Sequence, residues 1–185
     1  MPEALQTDRL LLRPFTLDDA PEFWPLVSDP AVLRYTGEEP QTLEGARRIL
    51  RERPLRDYAV HGFGRMACVE RDSGRLVGFS GLKYLEDLHE VDIGYRFLPA
   101  CWGKGYATET ARALIAHGAQ RQGIARVIGL VHPGNTASVN VLLKLGLVFE
   151  HKVRLDDFRF ALDLYAQAGT SPNDSFRPDA LRAPE

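Results

Sequence analysis

Apolar and polar positions follow one another along this chain in an order that predicts mixed α and β structure. Arg9–Phe15 carries three leucines between two arginines and predicts a first strand, with Pro14 near its end. Thr16-Leu17-Asp18-Asp19 has the form of a helix start, with Thr16 as N-cap, Asp19 three positions on, and apolar Phe23, Trp24, Leu26 and Val27 following. Pro30 is expected to stop that helix. A second helix is expected from Thr42 through Arg53, ending before Pro54. Gly64–Arg71 and Leu76–Leu85 then read as strands joined by Asp72-Ser73-Gly74, a hairpin turn, and Glu90–Leu98 reads as a third.

Beyond Leu98 the period changes. Ala107, Ala111, Leu114, Ile115 and Gly118 share one helical face, and Gly123 marks the end of that helix. Ala125–His132 predicts a buried strand broken by Pro133-Gly134. Asn135 is placed to cap a helix reaching Leu145, with Gly146 at its C-terminus. Leu147–Leu155 and Phe158–Tyr165 predict two closing strands. From Ala166 onward periodicity is lost, so one domain over residues 1–165 and a flexible tail over 166–185 are expected. The fold class is α/β in the α+β sense: an antiparallel meander followed by a helix–strand–helix unit, with no internal repeat.

Composition narrows the function. A chain of 185 residues with 44% hydrophobic and 26% charged content suits one globular domain, and a net charge of −2 gives no reason to expect nucleic acid. Cys68 and Cys101 form no CxxC pair, and the five histidines lack metal-ligand spacing, so no metal is expected. No apolar run approaches the ~18 residues of a membrane span, and the opening is unlike a signal peptide. A cytoplasmic protein without membrane partners is the expectation, as monomer or homodimer. Charge is unevenly spread: Gly103 to Phe149 holds five of the 23 basic residues and one of the 25 acidic ones. A polyanionic ligand would favour that segment.

The segment opens on Trp102-Gly103-Lys104-Gly105-Tyr106-Ala107-Thr108, where a strand stops, two glycines flank a lysine and a helix begins. A glycine turn running into a helix leaves N–H groups free at the positive end of the helix dipole, a ready anion site. A Walker loop would need glycine at Leu98 and Ser or Thr at Gly105. A dinucleotide fingerprint would need a third glycine at Thr108 and a later acidic residue, and none occurs from Thr110 to Phe149. Both readings fail.

Four motifs in register instead resemble the GCN5-related N-acetyltransferase (GNAT) superfamily, in its ribosomal-protein N-acetyltransferase branch. The loop above is similar to the branch's W-G-K-G-Y-A-T-E. Asp92-Ile93-Gly94-Tyr95 resembles its E-I-G-Y strand, Asn135 to Ser138 with Leu143 to Gly146 its N-x-x-S…E-K-L-G-F segment, and Thr7 to Arg13 its opening strand. The likeness covers about Thr7 to Tyr165.

The resemblance implies acetyl-CoA as cosubstrate, in a cleft between Glu90–Leu98 and Ala125–His132. It implies diphosphate on the amides of Gly103, Lys104, Gly105, Tyr106, Ala107 and Thr108 beside Trp102. It also implies pantetheine against the main chain of Tyr95, Arg96 and Phe97, with a further contact from Asn135. The acceptor is a primary amine, on a protein N-terminus or a small molecule, entering by the Phe15–Pro54 helices and the Phe149–Phe158 region. Asp92 is the candidate base, with a substrate-orienting or structural role as its alternative and Glu90 as a second acid on the same strand face. The tyrosine many members use to protonate the thiolate falls on Leu142, and Ser138 is the nearest hydroxyl. A CoA-binding sensor without catalysis and a transferase of another acyl group stay open beside the acetyl reading.

Overall fold

The computed structural model describes residues 1–156 and 158–176. Among these, eight strands form one sheet: β1 (Leu5–Gln6), β2 (Leu10–Arg13), β3 (Arg65–Glu70), β4 (Leu76–Leu85), β5 (Glu90–Phe97), β6 (Ile128–Val131), β7 (Leu147–Val153) and β8 (Leu162–Gln167). Their spatial order is β1-β2-β3-β4-β5-β6-β8-β7. Every neighbouring pair is antiparallel except β5 and β6.

Helices cover both faces, so alternate residues of one strand enter different cores. On one face α6 (Tyr106–Gln122) and α7 (Thr136–Lys144) lie over Val91, Ile93 and Phe97, with Ala111, Leu114 and Leu142 in the same cluster. On the other, α1 (Ala20–Phe23), α2 (Pro25–Ser28), α3 (Pro30–Leu33), α4 (Leu43–Leu50) and α5 (Arg56–His61) follow one another. There Phe15, Phe23, Leu26 and Leu50 pack on Ala67 and Leu76.

Two prolines behave differently from one another. The helical run ends at Ser28, just before Pro30 as expected, and Pro30 also opens α3: it sits at the first helical position, where no N–H is needed, and Asp29 caps the turn by accepting the Ala31 N–H at 2.8 Å. Pro54 does not end the second helix. The chain widens into a π turn over Arg51–Leu55 and continues helical to His61. The wider i→i+5 spacing tolerates a residue that cannot make the usual bond.

The closing strands are displaced from their predicted bounds, and the last one runs past Tyr165 to Gln167. The expected flexible tail is therefore corrected over residues 166–176. Buried Arg126 explains why. Its Nε meets Glu90 at 2.9 Å, its Nη1 and Nη2 meet Glu150 at 3.0 and 2.9 Å, and Nη1 also donates to the Thr170 hydroxyl at 3.0 Å. Ser175 donates to the other oxygen of Glu90 at 2.7 Å, and Phe176 packs edge-on against Phe63 with centroids 5.4 Å apart. A buried guanidinium needs this many acceptors, and the segment after β8 supplies them. Residues 177–185 of the expected tail lie outside the described residues. The same network shortens the strand predicted from Ala125: Arg126 is buried, the Val127 N–H bonds the Gln167 side chain at 2.9 Å, and β6 begins only at Ile128.

Candidate active site

The two parallel strands share a single registered position, Asp92 opposite Ile128. Among the described residues, no strand is in register with that edge of β5 from Ile93 to Phe97. The opening lies between β5 and β6 and is headed by the turn into α6.

Asp92 closes the apex. Its Oδ1 accepts the Leu130 N–H at 3.1 Å, and its Oδ2 pairs with Nη2 of Arg65. Arg65 reaches across two strands because Gly81 and Gly94 are paired beneath it; a Cβ on Gly94 would collide with the guanidinium. Nη1 of Arg65 also donates to the carbonyls of Gly81 and Asp92. Both carboxylate oxygens of Asp92 are thus engaged by the protein. Glu90 lies on Arg126, as described above.

The Leu98 N–H bonds the Val77 carbonyl at 3.0 Å. Alternation then turns the main chain of Arg96 toward β4 and that of Tyr95 and Phe97 toward the opening. The Phe97 carbonyl accepts the Trp102 indole N–H at 2.7 Å. The Arg96 side chain leaves the opening altogether, donating to the Leu26 carbonyl at 3.1 Å and to Glu38 at 2.7 Å. Burial would raise the pKa of Glu38, but Arg96 and Arg53 outweigh it and hold the carboxyl below its usual value.

After β5 a tight turn at Pro99–Cys101 leads to Trp102, then Gly103 and Gly105 at φ +74° and +83°, a region that disfavours side chains. Gly105 caps the 17-residue α6, and nothing approaches the space where a Gly103 Cβ would stand. Gly103, Lys104 and Gly105 are exposed, while Ala107 and Thr108 in the first turn are half-buried. Tyr106 is buried, and its hydroxyl donates to Glu70 at 2.7 Å, which pushes its pKa up to about 12. Cys101 is buried beside the turn, and burial raises its thiol pKa.

On α7, Asn135 caps the helix by accepting the Ser138 N–H at 3.2 Å. The Ser138 hydroxyl lies 3.1 Å from the Tyr95 hydroxyl, which also donates to the Ser138 carbonyl at 3.1 Å. Burial pushes the Tyr95 pKa upward, so the phenol stays protonated at any ordinary pH. Leu142 is in the core, against Gly129. A hydroxyl therefore reaches α7 from β5, and none comes from the Leu142 position.

A parallel pair joined at one point, with a glycine turn and helix start at its mouth, can be compared with known proteins. Residues 9–148 match the GNAT acetyltransferase domain. The chain belongs to the GNAT family. The N-acetyltransferase YoaA of Bacillus subtilis, itself uncharacterized, is 32% identical over 152 residues, covering 81% of this chain and 85% of that one. A GNAT-family acetyltransferase structure from Bacillus anthracis superposes with a TM-score of 0.75 at 25% identity, covering 89% of this chain and 96% of the other. A ribosomal L7/L12 alpha-N-protein acetyltransferase, solved in complex with coenzyme A, shares the fold with a TM-score of 0.74 at 18% identity, over 89% of this chain and 97% of that one. As a GNAT protein, the chain is an acyl-CoA-dependent acetyltransferase.

Other residues around this opening have contacts that the sequence does not announce. At the end of β6, the His132 ring lies 5.3 Å from Tyr35 and 4.5 Å from Phe160. Its Nδ1 accepts the Gly134 N–H at 2.9 Å. Tyr35 follows α3, within the Phe15–Pro54 region, and Phe160 precedes β8, just beyond the Phe149–Phe158 region, so segments distant in sequence meet at one ring. Arg9, Glu109 and Arg65 were also passed over. Arg9 and Glu109 stood inside quoted motifs, but their contact spans 100 residues.

Proposed function

We propose that the protein transfers the acetyl group of acetyl-CoA directly to a primary amine. One observation carries this reading: among the described residues, the cleft-facing edge of β5 from Ile93 to Phe97 has no strand in register with it and leads straight to the glycine turn at the head of α6. An extended pantetheine arm can add to that edge as a strand would, with its diphosphate on the free N–H groups of the turn. The main-chain N–H of Tyr95 or Phe97 would then meet the thioester oxygen and stabilise the oxyanion. The amine nitrogen bonds to the carbonyl carbon, the C–S bond breaks, the thiolate departs and the nitrogen sheds a proton.

In this reading Asp92 holds the apex of the cleft, because both its oxygens are already bonded, and it does not take the amine proton. The paired hydroxyls of Ser138 and Tyr95 are the donors available to the departing thiolate. The acceptor approaches past Tyr35, His132 and Phe160, and both a protein N-terminus and a small-molecule amine suit that entrance. Thiol release from acetyl-CoA, measured over a panel of peptides and small amines, tests the proposal. Gly105→Glu should abolish turnover while the chain still folds, with a lowered Tm because the positive φ there disfavours a side chain. Binding of acetyl-CoA with no thiol release from any amine would favour a sensor, and release only from a longer acyl-CoA would change the acyl group assigned.

A further inference from the structure

We propose that Arg9 is a positioning residue that latches the Lys104–Gly105 peptide and so sets the anion-binding face of the glycine turn. The inference rests on the acetyl-CoA reading above. Nη1 of Arg9 donates to the Lys104 carbonyl at 2.8 Å. A planar trans peptide points its carbonyl oxygen and its N–H in opposite directions. Holding the Lys104 oxygen toward Arg9 therefore aims the Gly105 N–H away from it, to the side a diphosphate would occupy. The latch is needed because this peptide has glycine at 105 and follows glycine at 103, both at positive φ, and glycine offers little resistance to a peptide flip.

Arg9 is itself held. Nε and Nη2 meet Oε2 of Glu109 at 2.7 and 2.6 Å, and the Arg9 N–H bonds Oε1 at 3.0 Å. The Thr7 hydroxyl donates to the same oxygen at 2.7 Å. Glu109 lies in the first turn of α6, where a carboxylate suits the helix dipole. The guanidinium stands 4.7 Å from the Tyr106 ring, and Arg71 bonds the carbonyls of Thr7 and Asp8 at 3.2 and 2.7 Å. The turn before β2 is thereby tied to the helix and the loop at once. Every partner in this set is a group of the protein itself, so the latch does not require the ligand to order the loop.

The test compares two donors. Acetyl-CoA carries the diphosphate; acetyl-pantetheine lacks it. Arg9→Gln and Glu109→Gln should each weaken acetyl-CoA binding, measured by calorimetry, by roughly tenfold to a hundredfold. Saturating turnover of acetyl-pantetheine should move by less than about twofold, since that donor never meets the turn. Arg9→Lys should recover part of the affinity. Equal losses on both donors would mean a general structural defect and overturn the latch, as would unchanged acetyl-CoA affinity in both Gln variants. If Arg9→Gln fails to fold, Glu109→Gln, which keeps the guanidinium and loosens its anchor, still decides the matter. A wild-type protein that binds no acetyl-CoA would overturn the reading beneath the latch, an outcome distinct from wild-type binding that the variants leave intact.

Discussion

The Oδ1 of Asp92 accepts the N–H of Leu130 at 3.1 Å, across the single point where β5 and β6 still pair. A side chain does there what the next main-chain bond of a parallel ladder would have done. The carboxylate thus ends the ladder in a bonded state and lets the strands part beyond it. Removing it leaves Arg65 and a strand N–H without their acceptor. Asp92→Ala should cost about 3 kcal/mol in denaturant unfolding. Asp92→Asn should cost less, and its pH–rate profile should keep the wild-type acid limb. Loss of that limb would make Asp92 the base after all.

The hydroxyls of Tyr95 and Ser138 lie side by side at the cleft. If they supply a proton to the thiolate, Ser138→Ala and Tyr95→Phe should each lower kcat by up to about a hundredfold with little change in KM for acetyl-CoA. An unchanged kcat in both would leave the thiolate to depart unaided.

His132 lies between aromatic rings from two distant segments, tilted against Tyr35 and edge-on to Phe160. If the acceptor enters past this ring as proposed, His132→Ala should raise KM for the amine while sparing that for acetyl-CoA. An equal rise for both substrates would contradict that placement.

Deleting residues 168–185 removes Phe176 and two hydroxyls that serve the Arg126 network. Loss of the buried ring alone should cost about 3 kcal/mol. In a chain of this size, that lowers Tm by roughly 6–12 °C in a thermal melt. A trimmed protein as stable as the full chain would show that the segment is dispensable.

Burial would raise the pKa of Glu109, but hydrogen bonds from Thr7 and Arg9 outweigh it and lower the value on folding; Glu38 behaves alike beside Arg96 and Arg53. A carboxylate with a lowered native pKa adds stability above its unfolded value of about 4.3, and that stability is lost as pH falls through the native value. The melting temperature should hold above about pH 5 and fall below pH 4. Glu109→Gln should flatten part of that fall.

Local chemistry made much of this protein legible in its sequence. Thr16 and Asp19, Thr42, Asn135, Gly123 and Gly146 mark helix ends through bonds and dihedral angles that involve only near neighbours. The same is true of the turn from Gly103 to Gly105, whose shape depends on two missing Cβ atoms. Order along the chain and alternation of apolar residues placed most of the strands, since one buried face demands them.

Tertiary structure alone decided what depends on distant partners. Nothing near Arg126 in sequence announces that it meets Glu90, Glu150 and Thr170, so the segment from Ala166 onward could only be read as loose. For Asp92 the sequence leaves a base and a structural role both open, and only the fold sets Arg65 and the Leu130 N–H against it. Arg9 and Glu109, Tyr35 and Phe160 acquire meaning only when folding brings them together. Short-range preferences are written residue by residue, whereas a charge or a ring takes its role from whatever the chain packs beside it.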